Sequence, residues 1–314
     1  MTTTDPTSEA TQPARVTESF GRRVIVETAD GVRGPAELFG KRLTCVCGDE
    51  VSIRGPSQSS GDVAKVVAVL PRRSLFARTD SRGRTEPLAA NLTLLVVIIA
   101  PVPEPDLYIV DRYLAGAALS GITGALVVNK SELPRAAEEE FQAGVNDYER
   151  AGYQVVRLSA KHDPSVEPIR ALLAGASGML VGQSGVGKST ITNRLAPESE
   201  RATRSLSDST GEGRHTTVST ALFRLPGGGE LIDSPGVRDF APPPVEDSMI
   251  QVGWPEILKL APQCRFNNCL HVREPGCAVL GAVAEKNLSA RRYESYKRLL
   301  NIMRGLAPEY ERRR

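Results

Sequence analysis

The spacing of apolar residues changes character three times along the chain. Residues 1–18 are rich in Thr, Ser, Pro and Glu and hold few apolar groups. Such a segment buries too little to offset the entropy of ordering, which predicts a disordered tail over 1–18. From Arg22 to about Leu75 the apolar residues come in short runs, RRVIVET, VSIRG and DVAKVVAVLP, separated by DG, GP and SSGD. Several short strands at this spacing predict a small barrel, and the length suits a five-stranded oligonucleotide-binding (OB) fold over residues 19–84. From about residue 90 apolar runs alternate with helical periodicity. LTLLVVII (92–99), GALVVN (124–129), YQVVRLS (153–159) and GMLVG (178–182) read as strands, and LYIVDRYLAGAAL (107–119) and AAEEEFQAGVNDYERAG (136–152) as helices. That rhythm predicts an α/β domain over 85–241, a parallel sheet with helices on both faces. TALFRLPGGGELIDSPG (220–236) reads as two strands joined by a Gly-rich turn. After Phe240 the style breaks at APPP, and residues 242–314 form a last unit. There Leu288, Tyr293, Tyr296, Leu299, Leu300 and Met303 make one apolar helical stripe, with Ser289 as its N-cap and Arg291, Arg292, Lys297 and Arg298 around it.

The chain has 314 residues, 40% of them hydrophobic, and a formal charge of +2. Two or three domains fit that length at ~100–150 residues each. The balanced charge carries no statement about polyanions, but Lys65, Arg72, Arg73, Arg78, Arg82 and Arg84 form a local basic cluster. It suits nucleic-acid phosphates, or equally a solvated charged face. The N-terminus lacks the basic start and apolar core of a signal peptide. LTLLVVIIAPV (92–102) is shorter than the ~20 residues of a membrane helix and reads as a buried strand. A cytoplasmic protein without membrane association is expected. Five cysteines in a reducing compartment argue against a disulfide framework and leave metal binding open.

Gly182-Gln183-Ser184-Gly185-Val186-Gly187-Lys188-Ser189, followed by Thr190, fits the phosphate-loop pattern G-x-x-x-x-G-K-[ST] in full. It follows the strand SGMLV and opens the helix STITNRLA, as the pattern requires. The glycines let backbone N–H groups turn toward a β-phosphate, and the helix N-terminus adds partial positive charge. Lys188 can bridge the β- and γ-phosphates, and the Ser189 hydroxyl can hold Mg²⁺. Downstream, ELIDSPG places Asp233 at a strand end as a second Mg²⁺ group and offers the Gly236 N–H to the γ-phosphate. Between them, SLSDSTGEGRHTT is a candidate switch loop in which Thr216 or Thr217 closes on Mg²⁺; spacing does not choose between the two. Val237 stands where many small GTPases carry a water-orienting glutamine. His215 is the nearest residue able to orient or deprotonate water, although a surface histidine is the plainer reading of that position by itself.

A second set of loops lies upstream. Asn129-Lys130-Ser131-Glu132 follows the strand GALVV, where a guanine-reading Asn-Lys-x-Asp corner would sit. Ser159-Ala160 follows YQVVRL, where a loop would cover the guanine carbonyl. Both precede the phosphate loop, the reverse of the usual order. Ligand loops of a doubly wound sheet meet at the carboxyl ends of the strands however the chain connects them. Placing 91–175 behind 176–240 restores the usual order, so the reading is a circularly permuted P-loop GTPase. Glu132 replaces the usual Asp. It keeps the carboxylate that accepts from guanine N1–H and the 2-amino group, so guanine preference is expected to survive with lower affinity.

Cys264-x4-Cys269-x-His271-x5-Cys277 gathers three thiols and an imidazole in fourteen residues. Soft thiolates plus an imidazole suit a structural tetrahedral Zn²⁺ with no open position, and make the last unit a zinc-binding helical domain. Cys45 and Cys47, a lone C-x-C, read as barrel core.

These residues resemble the family of small ribosomal subunit biogenesis GTPases called RsgA, over roughly 20–305. The pieces that carry the resemblance are LPRRSLFAR, LAANLT, NKSEL, GQSGVGKST, GRHTT, DSPGVRDF and the Cys-Cys-His-Cys knuckle. The resemblance implies an OB barrel, a permuted GTPase and a zinc domain. It implies binding to the 30S subunit and its rRNA late in maturation, with a GTP-to-GDP turnover that the subunit stimulates; a low intrinsic rate and a monomer are expected. It also gives His215 the catalytic role. Two other readings remain: an RNA-binding scaffold whose nucleotide is bound but not turned over, and an ATP-using phosphotransferase. Lys188, Ser189 and Asp233 count against the first. NKSE has no purpose in the second.

Overall fold

The computed structural model describes residues 11–55, 63–80, 83–197, 220–233 and 240–306. Five strands, β1 (Thr11–Phe20), β2 (Arg23–Thr28), β3 (Arg33–Leu38), β4 (Glu50–Arg54) and β5 (Ala64–Val69), pair in the order β1-β2-β3-β5-β4 and close through β1–β4. Alternation drives the closure. Val16, Val24, Val26, Val51, Ile53 and Val66 point inward as one core, joined by Cys45. Burial pushes the Cys45 thiol up to about 12, in keeping with an inert core residue.

The disordered tail expected over 1–18 is contradicted over 11–18, and residues 1–10 lie outside the described residues. Residues 11–18 belong to β1, which pairs with β4 from Thr11↔Arg54 and with β2 from Ala14↔Thr28. TQPARVTE looks polar, yet it needs to bury only Ala14, Val16 and Thr17, because two neighbouring strands satisfy its backbone. β3 escapes the hydrophobic pattern for the same reason: of its apolar residues only Ala36 and Leu38 are buried.

β6 (Leu75–Thr79) and β7 (Thr85–Ala90) form a separate two-stranded hairpin. A domain boundary at 84/85 would cut it. Phe76 and Ala89 enter the α/β core, and Phe240 stacks on Phe76 at 4.9 Å and on Tyr113 at 4.8 Å. The hairpin therefore packs with the α/β layer, and the barrel strands end at Val69. Much of the basic cluster is neutralised within the fold. Arg72 grips the buried Asp49 with two hydrogen bonds of 2.6 and 2.8 Å, while Arg73–Glu50, Arg78–Glu86 and Arg84–Asp80 pair at 2.8, 2.8 and 2.7 Å. Lys65 is exposed, and Arg82 lies outside the described residues.

The central sheet runs β10 (Gln154–Arg157), β9 (Thr123–Val128), β8 (Leu94–Ile99), β11 (Ser177–Val181), β13 (Glu230–Asp233), β12 (Thr220–Arg224). β12 is antiparallel to β13 and reaches the barrel through Glu18↔Ala221; the other neighbours are parallel. All six residues of β8 are buried, because helices cover both faces of a parallel strand. Leu95, Val97 and Ile99 pack under α1 (Leu107–Leu119) and α2 (Glu139–Arg150). Leu94, Val96 and Ile98 pack under α3 (Glu167–Leu173) and α4 (Lys188–Leu195). The β8–β11 pairing, Gly178↔Leu94 to Val181↔Val97, joins the half of the chain that carries NKSE to the half that carries the phosphate loop.

The last unit holds α5 (Pro255–Leu260), α6 (Ala278–Ala284) and α7 (Ala290–Leu306). The predicted stripe of α7 is buried around Trp254 and Ile250, together with Ala115 of α1. The Ser289 hydroxyl accepts from Arg292 N at 3.4 Å, an N-cap bond. Arg292 does not face solvent: its guanidinium is buried between Asp111 and Glu256. No helix among the described residues is long and apolar enough to cross a membrane.

Candidate functional site

β9, β10, β11 and β13 are parallel, so the loops leaving their carboxyl ends share one edge of the sheet. After β11, Gly182 has φ +146°, and a Cβ there would stand 2.2 Å from the carbonyl oxygen of Ile98. Gly187, at φ +100°, caps α4, and a Cβ there would stand 2.2 Å from Asn129 Nδ2. Backbone and partner leave room for glycine alone at both positions. The Lys188 Nζ donates to the carbonyls of Gly182 and Gln183 at 2.8 and 2.6 Å, folded over the loop. Asp233, ending β13, lies beside it; burial raises its carboxyl and the Lys188 charge pulls it partly back. Ser184, Gly185, Ser189 and Thr190 are exposed around the lysine, and Val186 is buried. His215, Thr216, Thr217 and Gly236 lie outside the described residues.

One side chain joins the two sets of loops. Asn129 is buried at the end of β9. Its Nδ2 donates to Val186 O of the phosphate loop at 2.8 Å, and its Oδ1 accepts from Ala160 N of the β10 loop at 2.8 Å. Lys130 adopts a left-handed φ of 58° and sends its Nζ to Val102 O at 2.8 Å. Ser131 N donates to Leu158 O at 3.2 Å. For Glu132, burial raises the carboxyl, but a hydrogen bond with the Ser159 side chain and the charges of His162 and Lys130 outweigh it and leave it lowered.

Replacing Asn129 by alanine would leave the buried Val186 carbonyl and Ala160 N–H unpaired, at about 1–3 kcal/mol each. Titration with guanine nucleotide is expected to show affinity at least ~30-fold weaker. A change of less than about threefold would mean that the loops hold their places without this tie.

The structure adds residues that the motifs do not mark. Arg194, near the end of α4, donates its Nη1 to Ala160 O at 2.8 Å. Asp163 accepts from Ser159 N at 2.6 Å. His162 Nε2 stands 3.8 Å from Glu132 Oε1. No spacing rule points to the first two. For His162 the only signal is rarity, since the chain has three histidines.

The second cluster lies in the last unit. One ligand atom each from Cys264, Cys269, His271 and Cys277 lies within 4.8 Å of the others. Cys264 Sγ stands 3.9 Å from Cys277 Sγ, and His271 Nδ1 stands 3.5 and 3.4 Å from those two sulfurs. Metal–sulfur bonds of about 2.3 Å at the corners of a tetrahedron put sulfurs about 3.8 Å apart, so the donor set fits a tetrahedral dication. Its surroundings fix it in place. His271 Nε2 pairs with Gln251 Oε1 at 3.0 Å, which directs Nδ1 to the cluster. The Tyr293 and Tyr296 hydroxyls of α7 donate to His271 O and Leu270 O at 2.7 and 2.8 Å. Glu274 accepts from the backbone of Leu270, Val272 and Arg273 at 3.0, 2.8 and 2.9 Å. Burial raises its carboxyl, but these bonds win and hold it near about 2. Cys47 belongs to neither cluster: it is buried where the barrel meets the α/β core and donates to Thr17 O at 3.2 Å.

The RsgA GTPase family profile matches residues 69–242. A "Small ribosomal subunit biogenesis GTPase RsgA" of Azotobacter vinelandii is 40% identical over 312 residues, covering 95% of this chain and 87% of that protein. One of Pseudomonas aeruginosa is 40% identical over 293 residues, covering 93% and 86%. Among solved structures, YloQ, described as a circularly permuted GTPase, superposes with a TM-score of 0.72 at 21% identity, covering 98% of this chain and all of that one. YjeQ from Thermotoga maritima gives 0.69 at 24% identity, covering 94% and 99%. These two establish the fold, a circularly permuted GTPase between a five-stranded barrel and a helical unit with a Cys/His cluster. With the sequence matches and the shared edge of loops, they place the chain in the RsgA GTPase family.

Proposed function

We infer that this chain hydrolyses GTP as a factor in biogenesis of the small ribosomal subunit. The observation that carries the reading is the double hydrogen bond of Asn129, which ties a guanine-type corner to a phosphate loop. In this reading Gly182–Thr190 wrap the phosphates, and Lys188 leaves the Gly182 and Gln183 carbonyls for the β- and γ-oxygens. Glu132 accepts from guanine N1–H and the 2-amino group, while Ser159-Ala160 close over the ring. Ser189, Asp233 and Thr216 or Thr217 would hold Mg²⁺, which would neutralise charge on the phosphates, and the Gly236 N–H would donate to the γ-phosphate. His215 orients or deprotonates the attacking water. Val237 has no group for that work, which fits slow turnover until a partner assists. Zn²⁺ at the knuckle has a structural role, since Cys264, Cys269, His271 and Cys277 leave it no open position. The partner is the 30S subunit and its rRNA, met by a cytoplasmic monomer.

GTP and ATP turnover with and without purified 30S particles tests this. GTP is expected to be strongly preferred and its hydrolysis stimulated by the subunit. Added salt should reduce the stimulation if phosphate contacts dominate. Lys188→Ala should abolish turnover in both conditions. Equal use of ATP, or hydrolysis indifferent to 30S at every salt concentration, would overturn the reading.

A further inference from the structure

Between the loop that leaves β8 and the first turns of α2 the packing is incomplete. Ile99, Leu107, Phe141 and Val145 wall an open cavity of about 110 Å³. Engineered apolar cavities of about 150 Å³ take a benzene-sized guest, so this one has room for a single aliphatic side chain. Its mouth carries three carboxylates, Glu104, Glu138 and Glu140, and one guanidinium, Arg135. Arg135 stands across the mouth. Its Nη2 lies 3.7 Å from Glu104 Oε2 on one side, and its Nε donates to Glu138 Oε2 at 3.3 Å on the other. Glu140 has no cationic partner among the described residues. Its place in the first turn of α2 suits the helix dipole, but that does not account for Glu104, which lies on the other wall. Both walls also belong to the nucleotide edge. Arg135 sits in the 3₁₀ turn Pro134–Ala137, directly after the corner 129–132. That turn hangs from the corner through Leu133 N on Lys130 O at 3.1 Å and Ala136 N on Leu133 O at 2.8 Å. The opposite wall, the loop 100–106, accepts Lys130 Nζ at Val102 O at 2.8 Å. A Cβ at Gly185 of the phosphate loop would touch Pro103 of the same loop at 3.7 Å.

We propose that this cavity is the docking site for a basic segment of a protein partner, one aliphatic side chain in the cavity and its cations on Glu104, Glu138 and Glu140, and that seating the segment loosens the guanine-reading corner. Charge complementarity names the occupant: a nucleic-acid phosphate would meet three carboxylates, and a neutral or acidic peptide would leave them unpaired. Arg135 already shows that the mouth accepts a guanidinium. The partner's cations take its place on both carboxylates. Once released, Arg135 no longer braces the turn after the corner against the loop 100–106. Exposed ion pairs contribute little singly, so guanine nucleotide is expected to bind about two- to fivefold more weakly with the segment seated. Such coupling is reciprocal, so bound nucleotide weakens the segment by the same factor. The coupling rests on the reading of 129–132 as the guanine corner; the docking does not.

Calorimetry on the full-length protein with the peptides acetyl-KRLRK-amide and acetyl-KRGRK-amide tests this. The leucine peptide is expected to bind roughly tenfold more tightly than the glycine peptide, because only it fills the cavity. At saturation it should weaken GDP binding about two- to fivefold, and saturating GDP should weaken the peptide equally. Arg135→Gln should raise peptide affinity and lower GDP affinity; an acidic patch that merely attracts cations would change the first alone. Glu104→Gln combined with Glu138→Gln should weaken the leucine peptide about fivefold or more and make GDP affinity indifferent to it. Equal binding of the two peptides, or a GDP affinity unchanged at peptide saturation, overturns the proposal. So does tighter peptide binding after Arg312, Arg313 and Arg314 are replaced by serine, which would make this chain's own end the occupant. Self-association that the peptide reverses would make the occupant a second copy and overturns it as well. A parent protein that binds GDP no better than ADP fails the guanine reading itself, whereas one that prefers GDP but ignores the peptide fails only the docking.

Discussion

Asp111→Ala is expected to lower the unfolding free energy by about 3–5 kcal/mol, the usual cost of removing one partner from a buried ionic network. Asp111 lies on α1 and is 1% exposed. Its Oδ1 accepts from Arg292 Nη1 at 2.7 Å, and its Oδ2 accepts from Arg291 Nη1 at 2.7 Å and from the Ser295 hydroxyl. Arg292 is also 1% exposed. It reaches Glu256 at 2.5 Å with Nε and packs over the rings of Tyr148 and Tyr153 at 5.1 and 5.3 Å. Burial pulls the Arg292 guanidinium down, but Asp111 and Glu256 overcome that and hold it well above its ordinary range. Without Asp111 the buried Arg292 keeps only Glu256, and the part-buried Arg291 keeps only Asp147 at 3.3 Å. The loss falls at the seam between α1 and α7, so denaturant unfolding should show the last unit separating first. The single tryptophan, Trp254, reports it, because it is buried in that unit against Tyr296. A destabilisation below about 1 kcal/mol would show that the network is solvated and weak.

Removing the zinc proposed for the knuckle is expected to unfold the last unit while the central sheet persists. Apparent binding energies of structural zinc, about 10–16 kcal/mol, match or exceed the whole stability of a typical domain, about 5–15 kcal/mol. Without a cation the knuckle is a buried cluster of thiols: burial raises the Cys269 thiol to about 12 and lowers His271. Those groups can face one another as thiolates only around a positive charge. The loop they organise also supplies the two carbonyls that satisfy Tyr293 and Tyr296, so its collapse exposes the stripe of α7. Elemental analysis should find one zinc per chain. Chelation, or Cys277→Ser, should shift Trp254 emission to the red and remove helical signal. The sheet has two cores of its own on the faces of β8 and should melt separately. A chain with no bound zinc, or with unchanged Trp254 emission after chelation, would refute the structural role.

Much of this molecule is legible from spacing. The unbroken apolar run of β8, the amphipathic α1, the phosphate loop between β11 and α4, and the four Cys and His residues of the knuckle are all sets of residues close in sequence. Their chemistry demands a fixed interval, and the interval is visible before any folding. The reversed order of the motifs is equally visible, because each motif lies on its own strand end.

What the spacing leaves open is decided by partners far along the chain. Arg72, Arg291 and Arg292 read as surface charge until Asp49 and Asp111 are placed beside them. β1 looks like tail until β2 and β4 take up its backbone bonds. The β6–β7 hairpin is assigned to its layer by Phe240, far downstream. Asn129 meets Val186 and Ala160 only because β8 pairs with β11 on one side and β9 on the other, which brings both loops to one edge. Sequence determined which groups this chain has to offer and the local shape of each motif, because those depend on backbone preference and short intervals. The tertiary structure decided which groups meet, because burial and hydrogen bonding act between neighbours in space, and sheet order, not sequence distance, makes neighbours.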